Sequence, residues 1–97
     1  MSFAEKLQEC PLIALLRGIT PSEIEPVCEV LYESGFRMLE IPLNSPDALE
    51  SIRRAAERWH VGEKMLVGAG TVLSAADVER VAAAGGKFII SADTNPE

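Results

Sequence analysis

A strand-like segment followed by a helix-like segment recurs along this sequence, and the strand starts lie about 25 residues apart. The strand-like segments are short apolar stretches at 12–17, 37–42, 65–70 and 87–91. Between them, apolar residues recur at the spacing of an amphipathic helix. Alternating strands and helices are typical of a parallel sheet with helical crossovers. We therefore predict an α/β fold with parallel strands that are adjacent in sequence order.

Residues with strong positional preferences support these boundaries. Three predicted helix starts share a capping residue followed by a proline or an acid in the first turn: Thr20-Pro21-Ser22-Glu23, Ser45-Pro46-Asp47, and Ser74 with Asp77. Glycines at 35 and 85–86 follow the predicted helices, where a left-handed residue commonly ends a helix. We also predict a helix over Ser2–Gln8 before the first strand, and a further helix start at 95–97.

Charge and hydropathy exclude several classes of partner. The net charge is −6, with Lys+Arg 9 against Asp+Glu 15, which argues against nucleic-acid binding because phosphate backbones require a basic surface. No apolar stretch has the length of a membrane span. The N-terminal "MSFAEKLQEC" carries acids, unlike a signal peptide, so we expect a cytoplasmic protein. A small anionic ligand stays compatible with this composition, because a few arginines in a cleft can hold it.

The two cysteines and the single histidine do not indicate a metal centre. Cys10 and Cys28 form neither a CxxC pair nor a Cys/His cluster, so we expect small buried thiols and no bound metal. His60 follows Trp59 at the end of a predicted helix, where we expect a surface or capping role.

Polar residues lie at the carboxyl ends of the predicted strands: Arg17, Glu40, Thr71 and Ser91. In the second strand, alternation puts Leu39 and Ile41 on one face and Glu40 on the other. If the sheet curls into a barrel, Glu40 points inward at the end where βα-barrels carry their active sites. Basic residues at the strand starts would lie at the opposite rim: Arg37, Lys64 and Lys87.

Each of these residues also has a purely structural interpretation. Arg17 could form a bridge with Glu40, and Thr71 could cap a helix. Gly68 and Gly70 could mark tight packing rather than room for a ligand, and "GAG" is too short for a dinucleotide fingerprint. The convergence of four polar positions at one rim favours a ligand site.

Four segments together resemble a known enzyme family: "LIALLRGITP", "LEIPLNSP", "VGAGTVL" and "FIISADTNPE". In this order and spacing they are similar to the 2-dehydro-3-deoxy-phosphogluconate and -phosphogalactonate aldolases, over essentially the whole chain. The match is closer to the phosphogalactonate branch, because the phosphogluconate enzymes usually carry an arginine where this chain has Asn44. The chain departs from the family at Ser91-Ala92-Asp93, where "SPN" or "SPG" is usual.

The resemblance implies a TIM-type (β/α)8 barrel, usually a homotrimer, that needs no cofactor. A lysine forms a Schiff base with the substrate ketone, and a glutamate moves protons during cleavage to pyruvate and glyceraldehyde 3-phosphate. By position, Glu40 matches the catalytic acid/base, with a pKa raised by burial. The substrate-binding positions match Arg17, Thr71, Asn44 and Ser91, with Thr71 near the pyruvoyl carboxylate.

The resemblance also implies that residues 1–97 form the N-terminal half of a single barrel. The family's Schiff-base lysine lies on strand six, and its phosphate is held by loops after the later strands. The lysines of this sequence lie in the leading helix or at strand starts: Lys6, Lys64 and Lys87. We therefore expect the chain to be inactive alone. The alternatives are a phosphogluconate or 4-hydroxy-2-oxoglutarate aldolase, and a non-catalytic half-barrel that associates with itself or another half.

Overall fold

The computed structural model describes residues 3–10, 12–72 and 74–91. Its elements in chain order are α1 (Phe3–Glu9), β1 (Ala14–Leu15), α2 (Pro21–Glu33), β2 (Met38–Pro42), α3 (Ala48–Trp59), a 3-10 turn (Val61–Glu63), β3 (Leu66–Val72), α4 (Ala75–Ala84) and β4 (Phe88–Ser91). The helix start predicted at 95–97 lies outside the described residues. None of the described helices has the length and apolar character needed to cross a membrane.

The strands form one parallel sheet in the order β1-β2-β3-β4, which confirms the predicted topology. β1 is shorter than the predicted 12–17, because the chain turns at Arg17 and Gly18, where Gly18 has a positive φ of 78°. The pairing nevertheless continues one residue past β1, since the Leu16 amide donates to the Glu40 carbonyl at 3.0 Å. β3 extends to Val72, beyond the predicted residue 70.

The hydrophobic core lies between one face of the sheet and the helices α2, α3 and α4. Strand residues of this face and the helix residues packed on them are fully buried, among them Leu39, Ile41, Val67, Ile24, Cys28 and Ile52. Each fully buried aliphatic side chain contributes roughly 1.5–3 kcal/mol relative to an exposed one. The alternation predicted for β2 is therefore confirmed on its helix-facing side.

The two cysteines differ in their environment. Cys28 is fully buried in the core, and burial raises the pKa of its thiol to about 12, so the thiol stays protonated and unreactive. The expectation was wrong for Cys10, which is only partly buried. It directly follows α1, outside the helix.

Two of the predicted helix starts are confirmed by their hydrogen bonds. α2 begins at Pro21, and the Thr20 amide donates to the Glu23 carboxylate at 2.9 Å. At the start of α4, the Asp77 amide donates to the Ser74 hydroxyl at 3.1 Å. These side chains satisfy backbone groups that have no partner within the helix.

The start of α3 differs from the prediction. The helix begins at Ala48, and the N-cap position belongs to Asp47 in a left-handed conformation with φ 50°, not to Ser45. The Ser45 hydroxyl is instead buried and accepts a hydrogen bond from the Gly18 amide at 3.0 Å. The Ser45 hydroxyl therefore bonds to Gly18 and does not cap α3.

The N-terminal ends of the strands are closed by α1. The buried Lys6 ammonium donates to the Glu63 carbonyl and pairs with Glu9 at 3.3 Å. The Phe3 ring contacts the Phe88 ring with centroids 5.3 Å apart. Lys6 is therefore held at the rim opposite the predicted site.

The other basic residues at this rim also lie where the sequence predicts. Arg37 directly precedes β2 and its guanidinium lies over the Tyr32 ring, with 4.1 Å between the guanidinium carbon and the ring centroid. Lys87 directly precedes β4 and is exposed. His60 is the C-cap residue of α3, as expected, and its Nε2 accepts from the Val67 amide at 3.2 Å. Burial, with a smaller effect from Lys87, lowers the pKa of His60, which keeps this ring nitrogen free to accept.

Candidate active site

Glu40 lies on the inner face of the sheet, the face turned away from the helices. In the strand register, Glu40 lies between Leu15 of β1 and Gly68 of β3, and Gly68 lies beside Phe88 of β4. This row across the sheet therefore holds one carboxylate among apolar residues. Glu40 is only 8% exposed, although it lies just two residues before Pro42, the last residue of β2.

The room for the Glu40 side chain comes from the glycines of β3. A Cβ atom built on Gly70 would lie 1.7 Å from Oε2 of Glu40 and 2.3 Å from its Cδ. A Cβ atom built on Gly68 would lie 2.6 Å from the Phe88 ring. The sequence suggested that these glycines let a ligand approach the backbone. In the structure, side chains of the same chain fill that space.

Burial raises the pKa of the Glu40 carboxyl above its ordinary value of 4.5, and the positive charge of Arg17 opposes part of that rise. The cause is that burial removes water from the charged form of the carboxyl group. This is the direction that the sequence predicts. A carboxylate with a raised pKa accepts a proton more readily than an ordinary glutamate and can return it later in the reaction.

The raised pKa predicts how stability depends on pH. The folded chain binds the Glu40 proton more tightly than the unfolded chain, so the free energy of unfolding falls as pH rises from 4.5 through the folded-state pKa. The Glu40→Gln variant has no proton to lose there. We expect the variant to gain stability relative to the unsubstituted chain as pH rises from 4.5 through the folded-state pKa of Glu40.

Urea unfolding of both 97-residue chains across that pH range measures the difference. Glu57→Gln is the matched control, because Glu57 is exposed on α3. The free energy of unfolding of this variant should not rise relative to that of the unsubstituted chain as pH increases. A Glu40→Gln variant that loses stability relative to the unsubstituted chain as pH rises would contradict the burial of an ionisable Glu40.

Thr71 lies in a bulge at the carboxyl end of β3. The register shifts between Gly70 and Val72, and Thr71 has a positive φ of 56°. A left-handed conformation costs roughly 1–2 kcal/mol for a residue with a Cβ atom, and such outliers concentrate at functional sites. The capping alternative is wrong, because Ser74 caps α4. The bulge places a half-buried Thr71 beside Gly70, over which the Glu40 carboxylate lies.

The other predicted site residues are Arg17, Asn44 and Ser91. Arg17 is exposed in the turn after β1, near enough to act on the charge of Glu40. Asn44 is exposed in the turn after β2. Ser91 is the last residue of β4 and pairs with Val72, but its side chain is outside the described part of the structure. The structure thus brings Glu40, Arg17 and Thr71 to one end of the sheet, and the roles of Asn44 and Ser91 stay predictions.

Ser45 connects two turns at this end of the sheet, a role that the sequence did not indicate. Its hydroxyl accepts from the amide of Gly18, so the turn that carries Arg17 is bonded to the turn that carries Asn44. "Ser-Pro" before a helix has the pattern of a local cap. No sequence signal distinguishes that pattern from a bond to a residue 27 positions away.

Parallel strands joined by helices, with an inward carboxylate and other polar residues at the carboxyl ends of the strands, define a βα-barrel type of enzyme site. A family model described as "Aldolase: KDPG and KHG aldolase" matches residues 3–97. The chain belongs to this aldolase family.

Two curated relatives show which members of the family the chain is similar to. It is 50% identical over 88 residues to a probable 2-dehydro-3-deoxy-6-phosphogalactonate aldolase of Rhizobium meliloti (strain 1021), covering 91% of this chain and 41% of the relative. It is 41% identical over 87 residues to the 2-dehydro-3-deoxy-6-phosphogalactonate aldolase of Escherichia coli (strain K12), covering 90% of this chain and 42% of that protein. The chain thus spans well under half the length of these relatives.

Solved structures confirm the fold class. A structure described as "Native KDPGal structure" superposes with a TM-score of 0.83 at 40% identity, over 90% of this chain and 41% of that one. The KDPG aldolase of Legionella pneumophila, with pyruvate captured as a covalent carbinolamine intermediate, superposes with a TM-score of 0.79 at 28% identity, over 92% of this chain and 42% of that one. The α/β fold is of the TIM-barrel type, as the sequence predicts.

Proposed function

We propose that residues 1–97 form the N-terminal half of a single (β/α)8 barrel of a class I aldolase. The proposed reaction cleaves 2-dehydro-3-deoxy-6-phosphogalactonate to pyruvate and glyceraldehyde 3-phosphate. The observation that carries this proposal is the inward, buried Glu40 carboxylate with a raised pKa at the end of a parallel strand. The similarity to two 2-dehydro-3-deoxy-6-phosphogalactonate aldolases supports the choice of substrate.

Glu40 acts as the proton-transfer group in this proposal. A lysine amine condenses with the substrate ketone at C2 to give an iminium ion. Glu40 accepts the proton of the C4 hydroxyl, and the C3–C4 bond breaks so that C4 leaves as the aldehyde carbon of glyceraldehyde 3-phosphate. The electron pair of the broken bond moves into the iminium to form an enamine. Glu40 then returns a proton to C3, and hydrolysis releases pyruvate. The carbinolamine of the Legionella pneumophila relative supports the covalent route.

The remaining polar residues of the rim bind the substrate. The Arg17 guanidinium suits a carboxylate or phosphate oxygen, because it presents a planar set of donors. The Thr71 hydroxyl donates a hydrogen bond to the pyruvoyl carboxylate, and the bulge in β3 positions Thr71 for this contact. Asn44 and Ser91 complete the substrate-binding set. The whole enzyme is proposed to be a cytoplasmic homotrimer that needs no metal or cofactor.

Substrate preference tests this proposal. The test protein, here called the chimaera, joins residues 1–97 to the part of the Rhizobium meliloti relative that follows the matched region. We expect kcat/KM for 2-dehydro-3-deoxy-6-phosphogalactonate to exceed that for its gluconate epimer by at least about tenfold, because one well-placed contact supplies that factor. Equal values, or a preference for the gluconate epimer or for 4-hydroxy-2-oxoglutarate, would favour the alternative aldolases.

A second candidate is a non-catalytic half-barrel that associates with another copy of itself. Leu15 is 52% exposed and Ile90 is 37% exposed, and the register places both on the inner face of the sheet. Exposed apolar side chains on strands at either edge of a sheet favour pairing with another chain. A second copy could cover both positions.

Sedimentation velocity of the 97-residue chain tests this self-association. We expect a concentration-dependent dimer, and we expect Leu15→Asp to shift the chain toward the monomer because a charge would be buried in the contact. Val61→Asp is the matched control, since Val61 is 70% exposed in the 3-10 turn and should leave association unchanged. A monomer at all concentrations would rule out this candidate.

A further inference from the structure

The Glu40 carboxyl group lies closest to the place where a side chain of Gly70 would be. The three nearest heavy atoms to a Cβ atom built on Gly70 are Oε2, Cδ and Oε1 of Glu40, at 1.7, 2.3 and 3.1 Å. A real Cβ atom cannot lie that close to a carboxylate, so the Glu40 side chain occupies the space that any residue other than glycine would fill. That space, over Gly70, is called the carboxylate seat below.

The backbone of Gly70 does not itself require glycine. Its φ is not in the left-handed region, unlike that of Gly18, Gly35 or Gly85. It is paired on both sides, in register with Pro42 and Ile90. An alanine would therefore fit the backbone, and the three nearest atoms that its Cβ would meet all belong to the Glu40 carboxyl group.

Gly68 provides a contrast on the same strand and the same face. A Cβ atom there would lie 2.6 Å from the Phe88 ring, and the three nearest atoms all belong to that ring. The two glycines thus accommodate different side chains, although they lie only two positions apart. Substitution by alanine at each position tests a different contact.

We propose that Gly70 is a positioning residue that holds the Glu40 carboxylate in its seat beside Thr71. The proposal rests on the proposed role of Glu40 in proton transfer. Because Gly70 has no side chain, the Glu40 carboxylate can lie directly over the backbone of β3, and this position sets its distance to a bound substrate before binding. Such preorganisation matters because a displacement of about 1 Å can lower a rate by about 10²-fold.

A double-substitution cycle on the 97-residue chain measures the contact without any need for activity. We expect Gly70→Ala to be less favourable for Tm in the unsubstituted chain than in a Glu40→Ala chain, because the Glu40 carboxylate must leave the seat to make room for the new methyl group. In the Glu40→Ala background the same substitution should leave Tm unchanged or raise it, since the conflicting side chain is gone. Gly68→Ala should lower Tm in both backgrounds. An equal effect of Gly70→Ala in both backgrounds, including failure to fold in both, would overturn the proposal.

A titration of the Glu40 carboxyl by 13C NMR adds a measurement that a general loss of stability would not change. In Gly70→Ala, we expect the pKa of Glu40 to fall toward 4.5, because the carboxylate leaves the seat for solvent. An unchanged pKa in a folded Gly70→Ala chain would show that the seat does not hold the carboxylate.

Kinetics of the chimaera separate failure of this proposal from failure of the proposed function. We expect Gly70→Ala to lower kcat at least tenfold with little change in KM, because the reacting group moves while the substrate contacts remain. If Glu40→Gln is inactive but Gly70→Ala keeps its kcat, the seat is wrong and the function stands. If the cycle and titration behave as expected but Glu40→Gln keeps its kcat, the seat stands and the proton-transfer role is wrong.

Discussion

Replacing Glu40 by Gln in the chimaera is expected to lower kcat by roughly 10²–10⁴-fold, the usual contribution of a positioned acid/base group. Glutamine keeps the size of the side chain but neither accepts nor returns a proton at neutral pH. KM should change little, because the proposed substrate contacts lie on Arg17, Thr71, Asn44 and Ser91. Steady-state kinetics with 2-dehydro-3-deoxy-6-phosphogalactonate measures the effect.

The control for this experiment is a glutamate far from the proposed chemistry. Glu57 is exposed on α3 and pairs with Arg53 at 2.7 Å, so Glu57→Gln should keep the kcat of the chimaera. Loss of activity in both variants would indicate a general effect of removing a charge. Full activity of Glu40→Gln would exclude the proposed role of Glu40.

The 97-residue chain alone is expected to show no enzymatic cleavage of the same substrate and no covalent labelling by pyruvate in the presence of borohydride. The class I route needs an amine beside the ketone, and a carboxylate cannot replace it. Lys6 is held at the N-terminal ends of the strands by its contacts with the Glu63 carbonyl and the Glu9 carboxylate. Lys87 lies at the start of β4. Both are at the rim opposite Glu40.

Mass spectrometry after borohydride reduction measures the expected difference. The chimaera should gain a pyruvate-derived adduct on a lysine of its added segment, whereas the isolated chain should gain none. The corresponding loss of rate is large, because enzymes accelerate reactions by at least about 10⁶-fold. A pyruvate adduct on Lys64 or Lys87 of the isolated chain would require a rearranged site.

Most of the fold follows from local sequence patterns. Alternating strands and helices predict the strand order, and capping residues such as Thr20 and Ser74 predict two helix starts correctly. These signals suffice because capping bonds form within one turn of the chain. The predicted boundaries of β1 were wrong, because only Ala14 and Leu15 form the strand that pairs with β2 while the apolar stretch runs from Leu12 to Leu16, and apolar character alone does not show where pairing begins and ends.

The candidate site could be predicted only in part. Alternation along β2 predicts the face of Glu40, because side chains of a strand alternate by a fixed geometry. The position of its carboxylate over Gly70 depends on packing between two strands, which single-residue patterns do not report. The bulge at Thr71 involves a strained left-handed residue, which no local pattern predicts. The Ser45–Gly18 bond joins residues 27 positions apart, and patterns within one turn of the chain do not report it.

Exchange of the methyl protons of pyruvate in D2O, followed by NMR with the chimaera, tests the role of Glu40 most directly. This exchange needs both the Schiff base and a group that moves a proton at C3, while borohydride trapping needs the Schiff base alone. We expect Glu40→Gln to be trapped by borohydride as fully as the unsubstituted chimaera, and to exchange at least about 10²-fold more slowly. A Glu40→Gln chimaera that is trapped and exchanges at the unsubstituted rate would contradict the account.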